Sequence, residues 1–360
     1  MTVSRRRFLG LTGAAMTVSP LTACGSVDKV AATGVPRGPF NEDSTAEEVT
    51  EGVDLSGKVA VVTGCTSGIG FETMRVLAKR GAYVIGTSRS LEKAEAACKH
   101  VTGITSPVRL ELSDFGSVVS CAESILTLGY GRPLDILVCN AGYRGGGNER
   151  RLVNGVEKHF VVNHLGHFVL VNRLLDRLFL SGQGRIVVVA SRAAYRGAPP
   201  EGINFNDLAM ARNYSDSAAY GQSKLANVLF SLWLAELLRG TRVTTNSLHP
   251  GVINTDIDRN LKPLTRFGFG LLTKLGGKTI EEGAATSCYV ATSGLLGSIS
   301  GYYFEDCNAI TVRGDSYMHD RAMAEELMRV SEELTVDYLI EQEHPNWTEF
   351  ERRARGKTEG

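Results

Sequence analysis

The sequence carries no excess of charge of either sign, since 39 Lys and Arg residues balance 39 Asp and Glu residues. Proteins that bind nucleic acid usually show a basic excess, so a nucleic-acid partner is not expected. The seven cysteines form no CxxC pair and no Cys/His pattern with the spacing of metal ligands. Neither a zinc site nor a disulfide framework is therefore predicted. Aromatic residues make up only 7% of the chain, whereas the 40 glycines suit many tight turns and close approaches of backbone to ligand.

The N-terminal residues resemble a bacterial twin-arginine export signal. Residues 4–10 read SRRRFLG, and residues 11–21 form an apolar run that is too short and too polar for a convincing membrane span. The run leads into LTAC, which resembles a lipobox whose Cys24 would become the lipidated N-terminus. We predict that residues 1–24 are an export signal and that the protein is lipid-anchored at a membrane. The alternatives are a disordered basic tail or another targeting peptide, and without a functional leader the protein would be cytoplasmic.

The rest of the chain divides by texture. Residues 25–53 are predicted to be a linker, because Gly and Pro residues are followed by an acidic stretch with little apolar periodicity. From residue 54 onward, short β-branched runs alternate with amphipathic stretches of helical length. Strands are predicted at 58–63, 83–87, 108–111, 136–139, 185–190 and 243–249, and helices at 68–80, 91–100, 115–128, 161–180 and 218–238.

This alternation predicts an α/β fold, a Rossmann-type doubly wound parallel sheet with helices on both faces. The apolar segments at 284–291 and 302–304 would add one helix and one strand, and residues 320–340 a terminal helix. With 360 residues, 43% of them hydrophobic, the chain is ample for one large domain. We predict a single domain over residues 54–345, followed by a polar tail at 346–360.

A glycine-rich turn follows the first predicted strand and opens the first predicted helix. Residues 63–70 read TGCTSGIG. The glycines allow a tight turn and a close approach to a pyrophosphate, and the helix N-terminus offers free N–H groups to the phosphates. A glycine-rich loop alone is common, but its place between strand and helix predicts a dinucleotide site. The cofactor-binding candidates here are Gly64, Thr66, Ser67, Gly68, Ile69 and Gly70.

The end of the second predicted strand distinguishes the two nicotinamide cofactors. An acid there would hold the ribose 2′-hydroxyl of NAD and repel the 2′-phosphate of NADP. The segment 86–90 instead reads GTSRS, which places Arg89 to pair with a phosphate, with Lys93 as a second cation. We therefore predict NADP(H); the alternative is that Arg89 is an ordinary solvated arginine.

Six ordered motifs resemble those of the short-chain dehydrogenase/reductase family. The GxxxGxG spacing of residues 64–70 is that family's variant of the fingerprint, and CNAG at 139–142 resembles its Asn-Asn-Ala-Gly motif. YGQSK at 220–224 matches its YxxxK motif, and HPGV at 249–252 its Pro-Gly motif. Asn163 and Ser191 match the family's catalytic asparagine and serine.

Longer phrases suggest a branch within this family, over about residues 54–340. NHLGHF at 163–168, NDL at 206–208 and YGQSKLANVLF at 220–230 resemble retinol dehydrogenases and WW-domain oxidoreductases, with protochlorophyllide reductases as more distant neighbours. One departure is Glu111, which stands where the family usually has an Asp that contacts the adenine.

The resemblance implies a Ser-Tyr-Lys-Asn catalytic set. Hydride transfer to a carbonyl builds negative charge on oxygen, which requires a proton donor. Lys224 lies one helical turn after Tyr220, and its positive charge favours tyrosinate, so Tyr220 is assigned as acid/base. Ser191 would hydrogen-bond the substrate oxygen, and Asn163 would position a water that relays protons through Lys224. An isolated Tyr-x-x-x-Lys would more often be an ordinary pair on a helix surface.

Further cofactor contacts are expected along the chain. Tyr220 and Lys224 would also reach the nicotinamide ribose, and the residues after the fourth strand would wall the adenosine side of the pocket. The Pro-Gly motif would contact the nicotinamide end. These remaining candidates are Glu111, Leu112, Asn140, Ala141, Gly142, Pro250, Gly251, Val252 and Thr255.

Two loops are candidates for the substrate pocket. Residues 192–217 are one, and residues 254–278, which mix leucines and phenylalanines with Lys and Arg, are the other. The second is predicted to be a mobile apolar lid over a small hydrophobic alcohol or carbonyl substrate. A helix packed on the domain and a membrane-docking surface are its alternatives. The three nearby histidines are interpreted as packing or capping residues, since no fourth residue has the spacing of a metal ligand. They are His159, His164 and His167.

The function predicted from these residues is NADP(H)-dependent interconversion of a hydrophobic alcohol and its carbonyl compound. One alternative is reduction of a ring double bond on the same fold. Another is a non-catalytic NADP(H)-binding sensor, which the intact Ser, Tyr and Lys argue against. A homo-oligomer is expected only from the habit of the family.

Overall fold

The buried β-branched runs of the sequence build a nine-stranded, mostly parallel sheet. A computed structural model describes residues 27–145, 149–253, 277–314 and 316–341. The order across the sheet is β1-β11-β10-β9-β8-β5-β2-β3-β4. The strands are β1 Lys29–Ala31, β2 Val59–Thr63, β3 Tyr83–Ser88, β4 Ile104–Arg109, β5 Ile136–Cys139, β8 Gly184–Val189, β9 Val243–His249, β10 Tyr303–Glu305 and β11 Asn308–Val312, while β6 Leu152–Val153 and β7 Val156–Glu157 form a separate hairpin.

Helices cover both faces of this sheet, as predicted. One face packs α1, α2 and α8, and the other packs α3, α5, α7 and α9. The helices are α1 Gly68–Lys79, α2 Leu91–Lys99, α3 Phe115–Leu128, α4 Lys158–Phe160, α5 Gly166–Phe179, α6 Ala193–Arg196, α7 Asp216–Leu237, α8 Ile280–Thr292 and α9 Arg321–Thr335. A π-helical turn, Val161–Leu165, joins α4 to α5.

The strand order indicates where a ligand would bind. The chain runs from β2 outward to β3 and β4, then returns to β5 on the other side of β2 and continues to β8 and β9. In such a sheet the crevice lies at the carboxyl ends of the two strands where the direction reverses, here β2 and β5. The predicted single-domain Rossmann fold is confirmed.

The residues before β2 differ from the predicted linker. β1 pairs antiparallel with β11, so that Lys29 lies opposite Val312. Ala46 and Val49 are buried against the face that carries α1 and α8. The described part of the 25–53 segment therefore packs onto the domain, because these apolar side chains and the edge of β11 gain partners there.

Two element boundaries also differ from the sequence prediction. The strand expected at 108–111 is Ile104–Arg109, so Glu111 lies beyond its end. The helix expected at 161–180 begins with α4 and the π-helical turn before α5. Within the described residues, no helix is long and apolar enough to cross a membrane.

Candidate active site

The glycine-rich turn packs against the end of β5 at very short range. Gly64 has a φ of +74°, which favours glycine, and Gly68 has a φ of +57°. A Cβ on Gly70 would lie 2.2 Å from the Gly64 carbonyl oxygen and 2.4 Å from Nδ2 of Asn140. The glycines are therefore required by backbone packing between this turn, α1 and the segment after β5.

The N-terminus of α1 is left open to an acceptor from outside the helix. Ser67 has extended backbone and makes no side-chain hydrogen bond to α1. By contrast, Ser90 caps α2 and Asp114 caps α3 through such bonds. Because the first amides of a helix lack intrahelical acceptors, α1 can offer its amides to a phosphate. These residues, with half-buried Thr66 and Ile69 beside them, fit the pyrophosphate of a dinucleotide.

The hydroxyl of Thr63 holds the segment that follows β5. Thr63 Oγ1 accepts hydrogen bonds from the backbone N–H groups of Asn140 and Ala141, both at 2.9 Å. Asn140 Nδ2 donates in turn to the Thr63 carbonyl at 2.8 Å. The predicted Asn140–Ala141–Gly142 wall thus lies directly beside the phosphate turn.

The expected adenosine side is polar and open. Arg89 is exposed just after β3, and no acid stands in residues 86–90. Glu111 Oε1 accepts hydrogen bonds from the Ser113 hydroxyl at 2.7 Å and from the Ser113 N–H at 3.1 Å. Leu112 is buried in the core, so its backbone is the part available to a ligand. The structure brings Arg89 and Glu111 to the same edge of the sheet, at the ends of neighbouring strands.

Asn163 connects the segment after β5 to α7, the helix that carries Tyr220 and Lys224. Its Oδ1 accepts from the Tyr143 N–H at 2.7 Å, and its Nδ2 donates to the Tyr143 carbonyl at 3.0 Å and to Ser223 Oγ at 2.8 Å. Ser223 lies next to Lys224 on α7. Because both amide hydrogens of Asn163 are used, its side chain acts here as a fixed bridge between two elements.

Lys224 is fully buried beneath the end of β8. Its Nζ donates to the Val189 carbonyl at 2.8 Å and lies 5.8 Å from the ring centroid of Tyr220. Burial lowers the pKa of Lys224 from 10.5 to about 8. Tyr220 is half-buried, one turn earlier on α7, so the helix presents both side chains beside β8.

Ser191 lies two residues beyond Val189, just outside β8. Its hydroxyl accepts from the Ala193 N–H at 3.2 Å, and its carbonyl accepts from the Ala194 N–H at 3.0 Å. The short helix α6 therefore fixes the backbone and side chain of Ser191.

Gly221, which the sequence analysis did not single out, sets how closely α6 approaches α7. A Cβ at this position would lie 2.1 Å from the Gly197 carbonyl carbon and 2.4 Å from the Ala198 nitrogen. The Ser191 segment and the Tyr220 helix could not pack this closely with a larger residue. A glycine inside a long predicted helix was the available sequence clue.

His167 is a second residue at the site whose contacts the motifs alone did not reveal. Its Nδ1 lies 3.2 Å from the Asn163 carbonyl, which can only accept, so Nε2 accepts from the Thr63 hydroxyl at 3.0 Å. Burial lowers the pKa of His167 to about 4, which keeps the ring neutral. His167 thus connects the cofactor turn to Asn163.

The other two histidines have packing partners in the described residues. His159 binds Glu157 at 2.8 Å and accepts from the Gly145 N–H at 2.8 Å. His164 contacts Ser331 Oγ at 2.8 Å.

The Pro-Gly motif follows β9, as expected. Gly251 has a φ of +106°, and a Cβ there would lie 2.5 Å from Cδ of Lys278. Val252 is 39% exposed, which leaves an apolar side chain at this end of the sheet. Thr255, the rest of the expected lid up to residue 276, the leader and the polar tail lie outside the described residues.

The fold and the site together place the protein in the class of Rossmann-fold oxidoreductases. Their dinucleotide site lies at the carboxyl ends of the two strands where the strand order reverses, here β2 and β5. Residues 58–202 match the family model described as short chain dehydrogenase. The chain is 38% identical over 303 residues to "Short-chain dehydrogenase TIC 32 A, chloroplastic" of Brassica napus, which covers 80% of this chain and 92% of that protein. It is 41% identical over 290 residues to Retinol dehydrogenase 12 of Homo sapiens, covering 78% of this chain and 87% of the relative.

A solved structure of an uncharacterized protein from Mycobacterium Paratuberculosis shares the fold. It has a TM-score of 0.62 and 30% identity, and the match covers 81% of this chain and 96% of that chain. The chain therefore belongs to the short-chain dehydrogenase/reductase family, whose members are oxidoreductases that use NAD or NADP. The predicted family and its similarity to retinol dehydrogenases are confirmed.

Replacing Lys224 by methionine is expected to stabilise the folded protein near pH 7. The pKa of Lys224 is lower in the folded protein than in the unfolded chain. The full cost of burying its charge is therefore present at every pH below about 8. A shift of this size corresponds to about 3 kcal/mol, and the lost hydrogen bond to Val189 offsets about 1 kcal/mol of the gain. Asn227 Nδ2 still donates to that carbonyl at 3.2 Å.

Urea unfolding at pH 7 and pH 10 measures this effect. Between pH 7 and pH 10, Lys224 loses its proton in the folded protein before it does so in the unfolded chain. The unfolding free energy of the wild-type protein therefore rises with pH, and the stability advantage of Lys224→Met shrinks. Lys99→Met, at an exposed lysine of α2, is the matched control and should change stability little. A Lys224→Met protein that is less stable than wild type at pH 7 would contradict this account.

Proposed function

We propose that the protein is an NADP(H)-dependent oxidoreductase that interconverts a hydrophobic alcohol and its carbonyl compound. The observation that carries the proposal is the position of the Tyr220–Lys224 pair beside the end of β8. Lys224 Nζ reaches the backbone of β8 two residues before Ser191, which brings the three side chains to one strand end. The open N-terminus of α1 lies at the same edge of the sheet.

Each catalytic side chain has a role that its surroundings support. Tyr220 would donate a proton to the carbonyl oxygen, or remove it from the alcohol, and the positive charge of Lys224 lowers the cost of the tyrosinate. Ser191 would hydrogen-bond the substrate oxygen as charge develops. A bound nicotinamide supplies or accepts the hydride. Any water relay at Asn163 would use its acceptor oxygens, since its amide hydrogens are already bonded.

The preference for NADP(H) is supported by the end of β3. Arg89 is exposed there, with Ser88 and Ser90 on either side, and an acid that would repel a 2′-phosphate is missing from residues 86–90. An arginine can bind a phosphate through two parallel hydrogen bonds.

Arg89→Ala is expected to weaken NADPH binding roughly tenfold or more while leaving NADH binding nearly unchanged, because one phosphate contact is lost. Calorimetric titration of both cofactors measures this. Lys99→Ala removes a positive charge from the opposite end of α2 and serves as the control. If wild type binds NADH as tightly as NADPH, the cofactor assignment is wrong.

An apolar substrate is supported by two observations. Val252 is exposed at the nicotinamide end of the sheet, and residues 254–276 are rich in leucine and phenylalanine. The relative Retinol dehydrogenase 12 is named for an apolar alcohol. We propose that the substrate is a small hydrophobic alcohol or carbonyl compound that binds beside the Ser191 loop.

Tyr220→Phe is expected to lower kcat for reduction of an apolar aldehyde or ketone by about 10²-fold or more, since the proton donor is lost. NADPH oxidation with product analysis measures the reaction, and Tyr130→Phe, at a residue 82% exposed, is the control. If Tyr220→Phe turns over substrate at the wild-type rate, Tyr220 is not the acid/base.

The same experiment separates the two alternatives. Saturation of a ring double bond in an enone, with its carbonyl left intact, would favour the ring reductase. Cofactor binding by wild type without turnover of any carbonyl, alcohol or enone would favour the sensor.

We also propose that residues 1–24 direct export by the twin-arginine route and that Cys24 becomes lipidated. The support is the order of the arginine pair, the apolar run and LTAC. N-terminal mass analysis of the membrane fraction is expected to find a lipidated Cys24 as the first residue. Intact Met1 in a soluble protein would contradict this proposal. Membrane association and a homo-oligomer remain proposals of the same kind.

A further inference from the structure

Glu305, at the end of β10, is a buried carboxylate that collects four hydrogen-bond donors. Its side chain is 2% exposed. Oε2 accepts from Lys29 Nζ at 2.7 Å and from Arg192 Nε at 3.2 Å. Oε1 accepts from the Tyr195 hydroxyl at 2.7 Å and from the Tyr303 hydroxyl at 3.4 Å. One carboxylate thus joins three separate parts of the chain.

Two of these donors belong to the segment that carries Ser191. Arg192 follows Ser191 directly, and Tyr195 lies in α6, whose amides hold the Ser191 hydroxyl and carbonyl. A helix of four residues has little stability of its own, so tertiary contacts must fix its position. Gly221 of α7 packs closely against the residues that follow this turn, and Glu305 binds Arg192 and Tyr195.

A third donor comes from the N-terminal segment. Lys29 lies on β1 at the edge of the sheet, and its side chain crosses β11 to reach Glu305. Its side chain is 30% exposed, so the lysine is accessible to substitution without opening the core. Lys29 and Glu305 are 276 residues apart in the sequence.

The charges around Glu305 depend on one another. Burial raises the pKa of Glu305, but the hydrogen bonds from Lys29 and Tyr195 and the charge of Arg192 outweigh it and hold the pKa below its usual value. Without one cation, the buried carboxylate is less well compensated and its grip on Tyr195 and Arg192 weakens. We therefore expect a change at Lys29 to affect the residues that follow Ser191.

We propose that Glu305 is a positioning residue for Ser191, and that Lys29 makes the N-terminal strand part of the active-site scaffold. The inference rests on the proposed function to the extent that Ser191 contacts the substrate oxygen. It goes beyond that function, because it assigns a role to a residue of the segment that precedes the Rossmann core.

A matched control can test whether any lost salt bridge to the N-terminal segment has the same effect as the loss of Lys29. Glu47, in the same N-terminal segment, binds Lys79 at 2.6 Å and Arg75 at 2.7 Å, both on α1. Lys79→Met therefore removes a lysine from a salt bridge that also anchors the segment, but on the face away from α6. Lys29→Met removes the lysine that acts through Glu305.

The experiment compares Lys29→Met, Lys29→Arg, Glu305→Gln and Lys79→Met with wild type in the full-length protein. We expect Lys29→Met and Glu305→Gln to lower kcat about tenfold, with KM and the Kd for NADPH within about twofold, because displacement of Ser191 weakens transition-state contacts. Lys29→Arg should restore kcat, and Lys79→Met should leave it unchanged. Hydrogen–deuterium exchange of residues 192–198 should increase in Lys29→Met and Glu305→Gln only.

Unchanged kcat and unchanged exchange of residues 192–198 in Lys29→Met would overturn the proposal, as would an equal effect of Lys79→Met. If Glu305→Gln does not fold, the two lysine variants still decide. If wild type turns over no substrate, the proposed function fails by itself. The exchange of residues 192–198 then decides this inference alone, since faster exchange in Lys29→Met supports it and unchanged exchange overturns it.

Discussion

The hydroxyl of Thr63 fixes the point at which the glycine-rich turn meets the segment after β5 and the helix that carries His167. It accepts hydrogen bonds from the two amides that follow β5 and donates to His167. His167 in turn holds the carbonyl of Asn163, whose amide reaches Ser223 on α7, the neighbour of Lys224. A continuous chain of buried hydrogen bonds therefore runs from the glycine-rich turn through His167 and Asn163 to Ser223, which precedes Lys224 on α7. Because a buried polar group without a partner is costly, each member of this chain constrains the next, and the two halves of the site hold one geometry.

Lys224 shows what this geometry costs. The side chain is buried with a backbone carbonyl as acceptor, and burial lowers its pKa. A hydrophobic residue of similar length would fill the same space without desolvating a charge. A charged group in such a place is typical of functional sites, where stability is exchanged for a tuned pKa. His167 differs from Lys224, because it is buried as a neutral ring and serves only as a fixed hydrogen-bond donor and acceptor.

Much of the fold and site could be predicted from the sequence, because their causes are local. β2 is buried at all five positions, so its sequence VAVVT has the apolar pattern of a central strand. The glycines of residues 64–70 and the Tyr220–Lys224 spacing are likewise short-range patterns. The strand β4 was predicted several residues late because Thr105 and Pro107 interrupt its apolar run, and five of its six residues are only half-buried or exposed. The packing of residues 27–53 and the contacts of Glu305 could not be predicted, since they join residues hundreds of positions apart.

The Ser191 loop shows why such long-range contacts matter for the chemistry. Tyr220 and Lys224 lie on a helix of 22 residues and inherit its rigidity. Ser191 instead precedes a single helical turn, so its position relative to that pair depends on what grips the turn from outside. Gly221 allows α7 to touch the backbone of residues 197 and 198, and Glu305 binds Arg192 and Tyr195. The residues that follow the serine thus contact both the central helix and the last parallel strand of the sheet, and Lys29 of the edge strand β1 binds the same glutamate of that strand.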